Sequence, residues 1–435
     1  MKFRSVVGTS PAVDFTTALL QGLAPDGGLY VPEEIPKLSQ SLIDNLDQYS
    51  LHDIGLHAIS KFLTEIPEQK LRTIIQKSLN FPIPLIKLEE HLFLLELFHG
   101  PTLAFKDVGA RFMAETLSYV LAQQHRGVTI LVATSGDTGS AVAHGFFNVP
   151  HITVYVLYPS GKISHLQEQQ MTTLGGNIHA IEVKGTFDDC QRLVKQALVD
   201  PDILAVRSLT TANSINLGRL LPQIMYYVWA FAQWKKIDEE SKSLPTVVAP
   251  SGNFGNLTAA VYAKWMGIPL KGFVAATNAN DVVPKYIQSG VFTPRPSIQT
   301  LSNAMDVGNP SNLSRLQSLY KNNVEHLRRD IVAVSFSDEE TLDEIQHTYQ
   351  RTGIILDPHT TVGVAAARKQ LSSQSRSSPM IITATAHPAK FREVIQRAIG
   401  VEVALPQSLA DAMHREKRSV RVGPVYDRFK ALLLN

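Results

Sequence analysis

The chain has 435 residues, of which 44% are hydrophobic and 18% charged, with a formal net charge of +2; this is the balance of a globular protein of roughly two to three domains at about 150 residues each. There is no basic block to attract nucleic acid or an anionic membrane surface, no apolar run near the roughly eighteen residues of a membrane span, and no signal-peptide core in residues 1–10. The one cysteine, Cys190, excludes an intramolecular disulfide and a cysteine-cluster metal site, so the simplest compartment is the cytoplasm, although a trimmed organellar precursor would read the same way.

Residues 22–32 form a turn-rich segment around Pro25-Asp26-Gly27-Gly28, read on physical grounds as a connector. Helices are expected at 41–60 and 68–78. Pro82 and Pro84 then disfavour helix in the residues before them, which sets a boundary there. The run Leu92-Phe93-Leu94-Leu95 is short enough for a buried strand, and it leads through a Gly100-Pro101 turn into a helix that repeats Phe112, Leu117, Val120 and Leu121 at helical spacing.

Strand and helix then alternate. Strands are expected at 129–133, 151–157, 177–183 and 203–208, and helices at 140–147, 163–174, 187–198 and 215–234, the third entered through the capping pair Thr186 and Asp189. The charged stretch 235–245 reads as a crossing between domains. Beyond it, strands are expected at 246–249, 270–276, 331–335 and 380–383, with helices at 257–266, 281–288, 340–349 and 390–399. Ser337 and Glu340 make a capping box. Residues 292–315, rich in Pro, Ser and Asn, read as an ordered loop, and the tail 405–435 packs on the outside. The alternation predicts an α/β fold of βαβ units around mainly parallel sheets.

Three loops carry chemistry. In His99-Gly100-Pro101-Thr102-Leu103-Ala104-Phe105-Lys106-Asp107 one lysine is delivered on a turn among apolar residues. Desolvation lowers such a lysine's pKa and fits it to form a Schiff base with an aldehyde. Pro250-Ser251-Gly252-Asn253-Phe254-Gly255-Asn256 lies between a strand and a helix, where unpaired amides and the helix dipole can cradle a phosphate. Gly252 and Gly255 are expected to be needed for close approach or positive φ. Thr134-Ser135-Gly136-Asp137-Thr138-Gly139 has the same placement and could hold a carboxylate. Asp137 has no cation near it in sequence and would have to face a cofactor oxygen or a donor from elsewhere. One lysine, one phosphate cup and one carboxylate loop suit pyridoxal phosphate.

These motifs, together with Pro25-Asp26-Gly27-Gly28-Leu29-Tyr30, Asn213-Ser214-Ile215-Asn216, Ala304-Met305-Asp306-Val307-Gly308-Asn309-Pro310-Ser311-Asn312 and Thr385-Ala386-His387-Pro388-Ala389-Lys390-Phe391, resemble the threonine synthase family over nearly the whole length. The resemblance implies a fold type II pyridoxal-phosphate enzyme, tryptophan synthase β-like, with an N-terminal mixed domain at 1–84. An α/β domain at 85–240 would carry the lysine and carboxylate loop, and a second at 241–435 the phosphate loop. It implies pyridoxal 5'-phosphate as cofactor, Lys106 as Schiff-base lysine and proton shuttle, and Gly252, Asn253, Phe254, Gly255 and Asn256 as the phosphate loop. Thr385 would face the pyridine nitrogen, and Asp137 the cofactor O3'. Ser135, Gly136 and Thr138 would hold the substrate carboxylate. Lys162 and Ser164 are the candidates for the substrate phosphate, and no metal is expected. The implied reaction makes L-threonine and phosphate from O-phospho-L-homoserine and water, in a monomer or homodimer with no nucleic-acid or membrane partner. A related phospholyase giving 2-oxobutyrate has nearly the same motifs, and a phosphate-binding module without catalysis is the reading from another class.

Overall fold

The computed structural model describes residues 1–237, 243–373 and 378–434. Thirteen strands are found among them: β1 (Phe3–Ser5), β2 (Tyr30–Pro32), β3 (Leu85–Glu89), β4 (Leu92–Glu96), β5 (Val128–Ala133), β6 (Ile152–Pro159), β7 (Ile178–Val183), β8 (Leu209–Thr211), β9 (Thr246–Pro250), β10 (Phe273–Thr277), β11 (Ile331–Ser335), β12 (Met380–Ala384) and β13 (Ser419–Val422). β1 and β2 pair antiparallel. The others build a six-stranded sheet in the order β11-β10-β9-β12-β4-β3 and a five-stranded sheet in the order β13-β7-β6-β5-β8. Every pairing in these two is parallel except β3 with β4. Helices cover the faces, so central strands such as Val128–Ala133 and Thr246–Pro250 are buried at every residue and read as continuous apolar runs. No helix among the described residues is long and apolar enough to cross a membrane.

The sheets exchange strands across residue 240. β4, which leads to Lys106, pairs with β12, while β13 from the far end of the chain pairs with β7. The N-terminal segment is fastened to this body by Arg315, whose buried guanidinium donates from Nε to the Tyr30 carbonyl at 2.9 Å and from Nη1 to Asn312 Oδ1 at 2.6 Å.

Several expected elements differ. The helix at 41–60 is broken into Gln40–Asp44, a 3-10 turn Leu46–Gln48 and Leu51–Ile59, because the Ser50 hydroxyl caps a new start by accepting from the Asp53 amide. Residues 203–208 are not a strand. Asp200 caps a helix Pro201–Val206, with proline at its first position; only Ile203 of that helix is buried, and the strand comes later, at Leu209–Thr211. The helix at 215–234 is two helices, Leu217–Leu220 and Gln223–Ile237, separated around Pro222, which has no N–H to continue the first. The loop 292–315 contains a 3-10 turn, Asn303–Met305, and the start of helix Leu313–Leu319. The crossing at 235–245 lies partly outside the described residues. Helix Pro358–Ser373, absent from the sequence reading, packs on the six-stranded sheet through Gly363, where a Cβ would come within 2.9 Å of Ile382.

Candidate active site

Strands β4, β12 and β9 lie side by side, and the chain leaves their carboxyl ends into the lysine turn, the Thr385 loop and the Gly252 loop respectively. β5 of the other sheet leads into the Ser135 loop. All four loops line one cavity, in the position where parallel sheets bind ligands. Lys106 is the first residue of helix Lys106–Gln124. Its turn is tied to the Thr385 loop by two backbone bonds, Phe105 N–H to the Thr385 carbonyl at 2.9 Å and His387 N–H to the Leu103 carbonyl at 3.0 Å. The following residue, Asp107, is buried and accepts from the Thr102 amide at 2.8 Å and hydroxyl at 2.6 Å. A Cβ on Gly100 would lie 2.5 Å from Asp107 Oδ2, so this turn closes only over glycine.

In the loop after β9 the amides of Gly252, Asn253 and Phe254 have no hydrogen-bond partner among the described residues. Helix Gly255–Trp265 adds its own unpaired N-terminal amides beside them. Asn253 holds the loop in place, donating from Nδ2 to Ser214 Oγ at 2.5 Å and accepting from the Ser311 amide at 2.6 Å. The Asn256 side chain turns inward, accepting from Tyr226 at 2.6 Å and donating to Thr383 Oγ1 at 3.2 Å. The left-handed residue here is Phe254, at φ 61°, and neither glycine has positive φ. Gly252 is required for closeness instead, since its Cβ would sit 2.6 Å from Met305 Cα; at Gly255 nothing comes nearer than 3.4 Å.

The loop after β5 is organised by Thr134, whose hydroxyl accepts from the amides of Gly136 at 2.9 Å and Gly139 at 2.8 Å. Gly136 has φ 136°, and a Cβ there would lie 2.5 Å from Gln167. Ser135 and Thr138 remain half-buried on the cavity wall, and Asp137 is buried as the first residue of helix Asp137–Phe146. Its partner is Lys390, with Nζ 2.6 Å from Oδ1; Gln167 Nε2 donates to the same oxygen at 3.0 Å.

Charge in the cavity is set by these groups. Burial lowers the Lys106 ammonium to a pKa of about 8; Asp137 opposes that fall, while Lys390 and Arg219 add to it. Burial pushes the Asp137 carboxyl up, but Lys390, Lys106 and His359 together hold it well below the usual carboxylate range. Arg219 is buried in the cavity wall with its Nε lacking a hydrogen-bond partner among the described residues, and burial brings it to about 10. His359 is pinned at both nitrogens: Nδ1 faces Asp357 Oδ1 at 2.8 Å and Nε2 accepts from the Ala304 amide at 3.1 Å. That bond supports the segment behind Gly252.

The structure thus brings Lys106, Ser135, Asp137, Thr138, Thr385 and the Gly252–Asn256 loop together; Gly136 does not line the cavity, because its amide is turned to the Thr134 hydroxyl inside the loop. Lys162 is exposed and lines no part of this cavity. Ser164 instead caps helix His165–Thr172, accepting from the Gln167 amide at 3.2 Å. Lys390, Arg219, His359 and Gln167 were missed. Lys390, inside the Thr385 motif, and Arg219, just past Asn213-Ser214-Ile215-Asn216, stood next to recognisable signals.

The family described as "Pyridoxal-phosphate dependent enzyme" matches residues 77–386. "Threonine synthase N terminus" matches residues 2–79 and "Threonine synthase, C-terminal" residues 360–432. Threonine synthase of Haemophilus influenzae is 45% identical over 398 residues, which is 91% of each chain. The chain belongs to the threonine synthase family. The solved structure of threonine synthase from Escherichia coli superposes with a TM-score of 0.93 at 39% identity, over 100% of both chains. The threonine synthase of Brucella melitensis, solved with pyridoxal phosphate bound, gives 0.92 at 34% identity over 100% of this chain and 98% of that one. The expected fold type II architecture with an N-terminal threonine synthase region is therefore the fold of this family member.

Proposed function

We infer that this protein is a pyridoxal 5'-phosphate-dependent lyase that converts O-phospho-L-homoserine and water into L-threonine and phosphate. The observation that carries the reading is one cavity, in a threonine synthase family chain, shared by the Lys106 amine, the free amides before helix Gly255–Trp265 and the hydroxyl-bearing loops at 134–139 and 385. The residues fit the cofactor. A lysine lowered to about 8 keeps a reactive fraction of free amine near neutral pH, where an ordinary lysine has almost none, and unpaired amides at a helix N-terminus suit a phosphate.

When bound, the cofactor supplies an electron sink for the charge left as protons leave the substrate's Cα and Cβ. Around it, Lys106 would hold the aldehyde carbon and move those protons. The amides of the Gly252–Asn256 loop hold the cofactor phosphate, and Asn253 fixes that loop. Thr385 would present its hydroxyl to the pyridine nitrogen, and Asp137 would serve the O3' side. Ser135 and Thr138 would bind the substrate carboxylate, while the Gly136 amide stays engaged with the Thr134 hydroxyl. Relatives that match the full chain are threonine synthases, which favours this product over 2-oxobutyrate. The test is to incubate the purified protein with O-phospho-L-homoserine and identify the products. L-Threonine with equimolar phosphate is expected; 2-oxobutyrate, or no phosphate release, would contradict the reading.

A further inference from the structure

We propose that Lys390 is a positioning residue of this active site, whose ammonium locks the Asp137 loop to the Lys106 turn and balances the Asp137 charge beside Lys106. Lys390 comes from the 3-10 turn Pro388–Phe391, just past Thr385, and is buried to 3% exposure. A buried ammonium is costly unless it is paired and hydrogen-bonded. Here Nζ bonds to Asp137 Oδ1 at 2.6 Å and to the Thr102 carbonyl at 2.9 Å. Thr102 in turn donates twice to Asp107, the neighbour of Lys106. One ammonium therefore joins the three segments that carry Thr385, Asp137 and Lys106.

Helix His165–Thr172 braces both contacts from a fourth side. Gln167 donates to the same Asp137 oxygen at 3.0 Å, and Gln170 donates to the same Thr102 carbonyl at 3.3 Å. The charged or titratable groups around Lys106 and this pair are Asp107 on its own helix, Asp137 and His144 on helix Asp137–Phe146, Arg219, His359, His387 and Lys390. Of these, Asp137 and Lys390 act on Lys106 with opposite sign. As a pair they offset one another at Lys106, and removing either leaves the other's effect uncancelled.

The inference rests on Lys106 being the lysine that holds the cofactor, but its test uses the apoprotein and so can fail separately. The pH dependence of Lys106 acylation by trace acetic anhydride, followed by peptide mapping, is measured for the wild type, Lys390→Met, Asp137→Asn and the double variant. Lys390→Met leaves Asp137 unopposed and moves the Lys106 midpoint up by about one unit or more; Asp137→Asn leaves the cations unopposed and moves it down. The double variant returns close to the wild type. Shifts of the same sign in both single variants, or no return in the double, would overturn the proposal. Should Lys390→Met fail to fold, Asp137→Asn decides alone: a downward shift supports the pairing and an unmoved midpoint contradicts it. If reduction traps the cofactor on another lysine while these shifts hold, the cofactor assignment fails and the charge pairing stands.

Discussion

The loops at 134–139 and 250–256 hold the same place in two sheets, each between the carboxyl end of a parallel strand and a helix N-terminus, yet they are built differently. The 250–256 loop has no charged side chain, is fixed by neutral bonds from Asn253, and leaves the amides of Gly252, Asn253 and Phe254 without a partner among the described residues. A phosphate brings its own charge, so a neutral cup that can be approached closely is sufficient. The 134–139 loop carries a buried carboxylate matched to a buried ammonium that arrives from β12's end of the chain. It contributes a balanced charge next to a lysine whose protonation matters. One loop is shaped by contact distance and the other by electrostatic pairing, and that difference predicts how each will fail.

The largest contrast lies in breaking the bond that holds each loop. Lys390→Met leaves Asp137 buried without its cation, a loss of about 3–5 kcal/mol. Asn253→Ala removes neutral hydrogen bonds at a half-buried site and costs about 1 kcal/mol. Urea unfolding of the two apoproteins measures both, and equal losses would erase the distinction. Within the neutral loop the glycines separate next. Gly252→Val drives a side chain into the Met305 backbone, 2.6 Å away at the Cβ, and costs about 1–3 kcal/mol together with cofactor affinity. Gly255→Ala meets only ordinary contacts and changes stability by less than about 0.5 kcal/mol. Cofactor titration of the two folded variants shows which glycine the cup needs.

The smallest effect is on pH. Burial and nearby cations lower the folded-state pKa of Lys106 from 10.5 to about 8. Below that value the amine is mostly protonated, and only the free fraction attacks an aldehyde. The rate at which apoprotein captures pyridoxal phosphate, followed by the absorbance of the bound form, should rise with pH and level off just above 8. A rate still climbing at pH 10 would mean that the lysine is not desolvated.

What could be read from the sequence was local. The capping pairs Thr186 with Asp189 and Ser337 with Glu340 are present as expected, because a box of four residues contains its own partners. The buried strands at 129–133, 246–249 and 380–383 fall within one residue of their expected ends, since a strand covered on both faces has an unbroken apolar run. Helix Pro358–Ser373 escaped because its buried residues Val362 to Ala367 go all the way round, which leaves no amphipathic stripe to detect. Helix Pro201–Val206 was misread as a strand by its apolar content, though Asp200-Pro201 is a helix start. In the site, the lysine and the glycine loop were legible as motifs. The ion pair of Asp137 with Lys390 was not, since the two are distant in sequence and meet only where the sheets do. The same distance misled the choice of Lys162: a lysine next to a helix start in sequence lies outside the cavity, while Arg219 lies in its wall.

The central claim is that Lys106 holds the cofactor in the cavity between the two sheets, and reductive trapping tests it most directly. The holoprotein is treated with borohydride, digested, and the modified peptide sequenced, with Lys106→Ala as control. The pyridoxyl group is expected on Lys106 alone, with no trapped cofactor in Lys106→Ala. A pyridoxyl group on any other lysine of the wild type would contradict it.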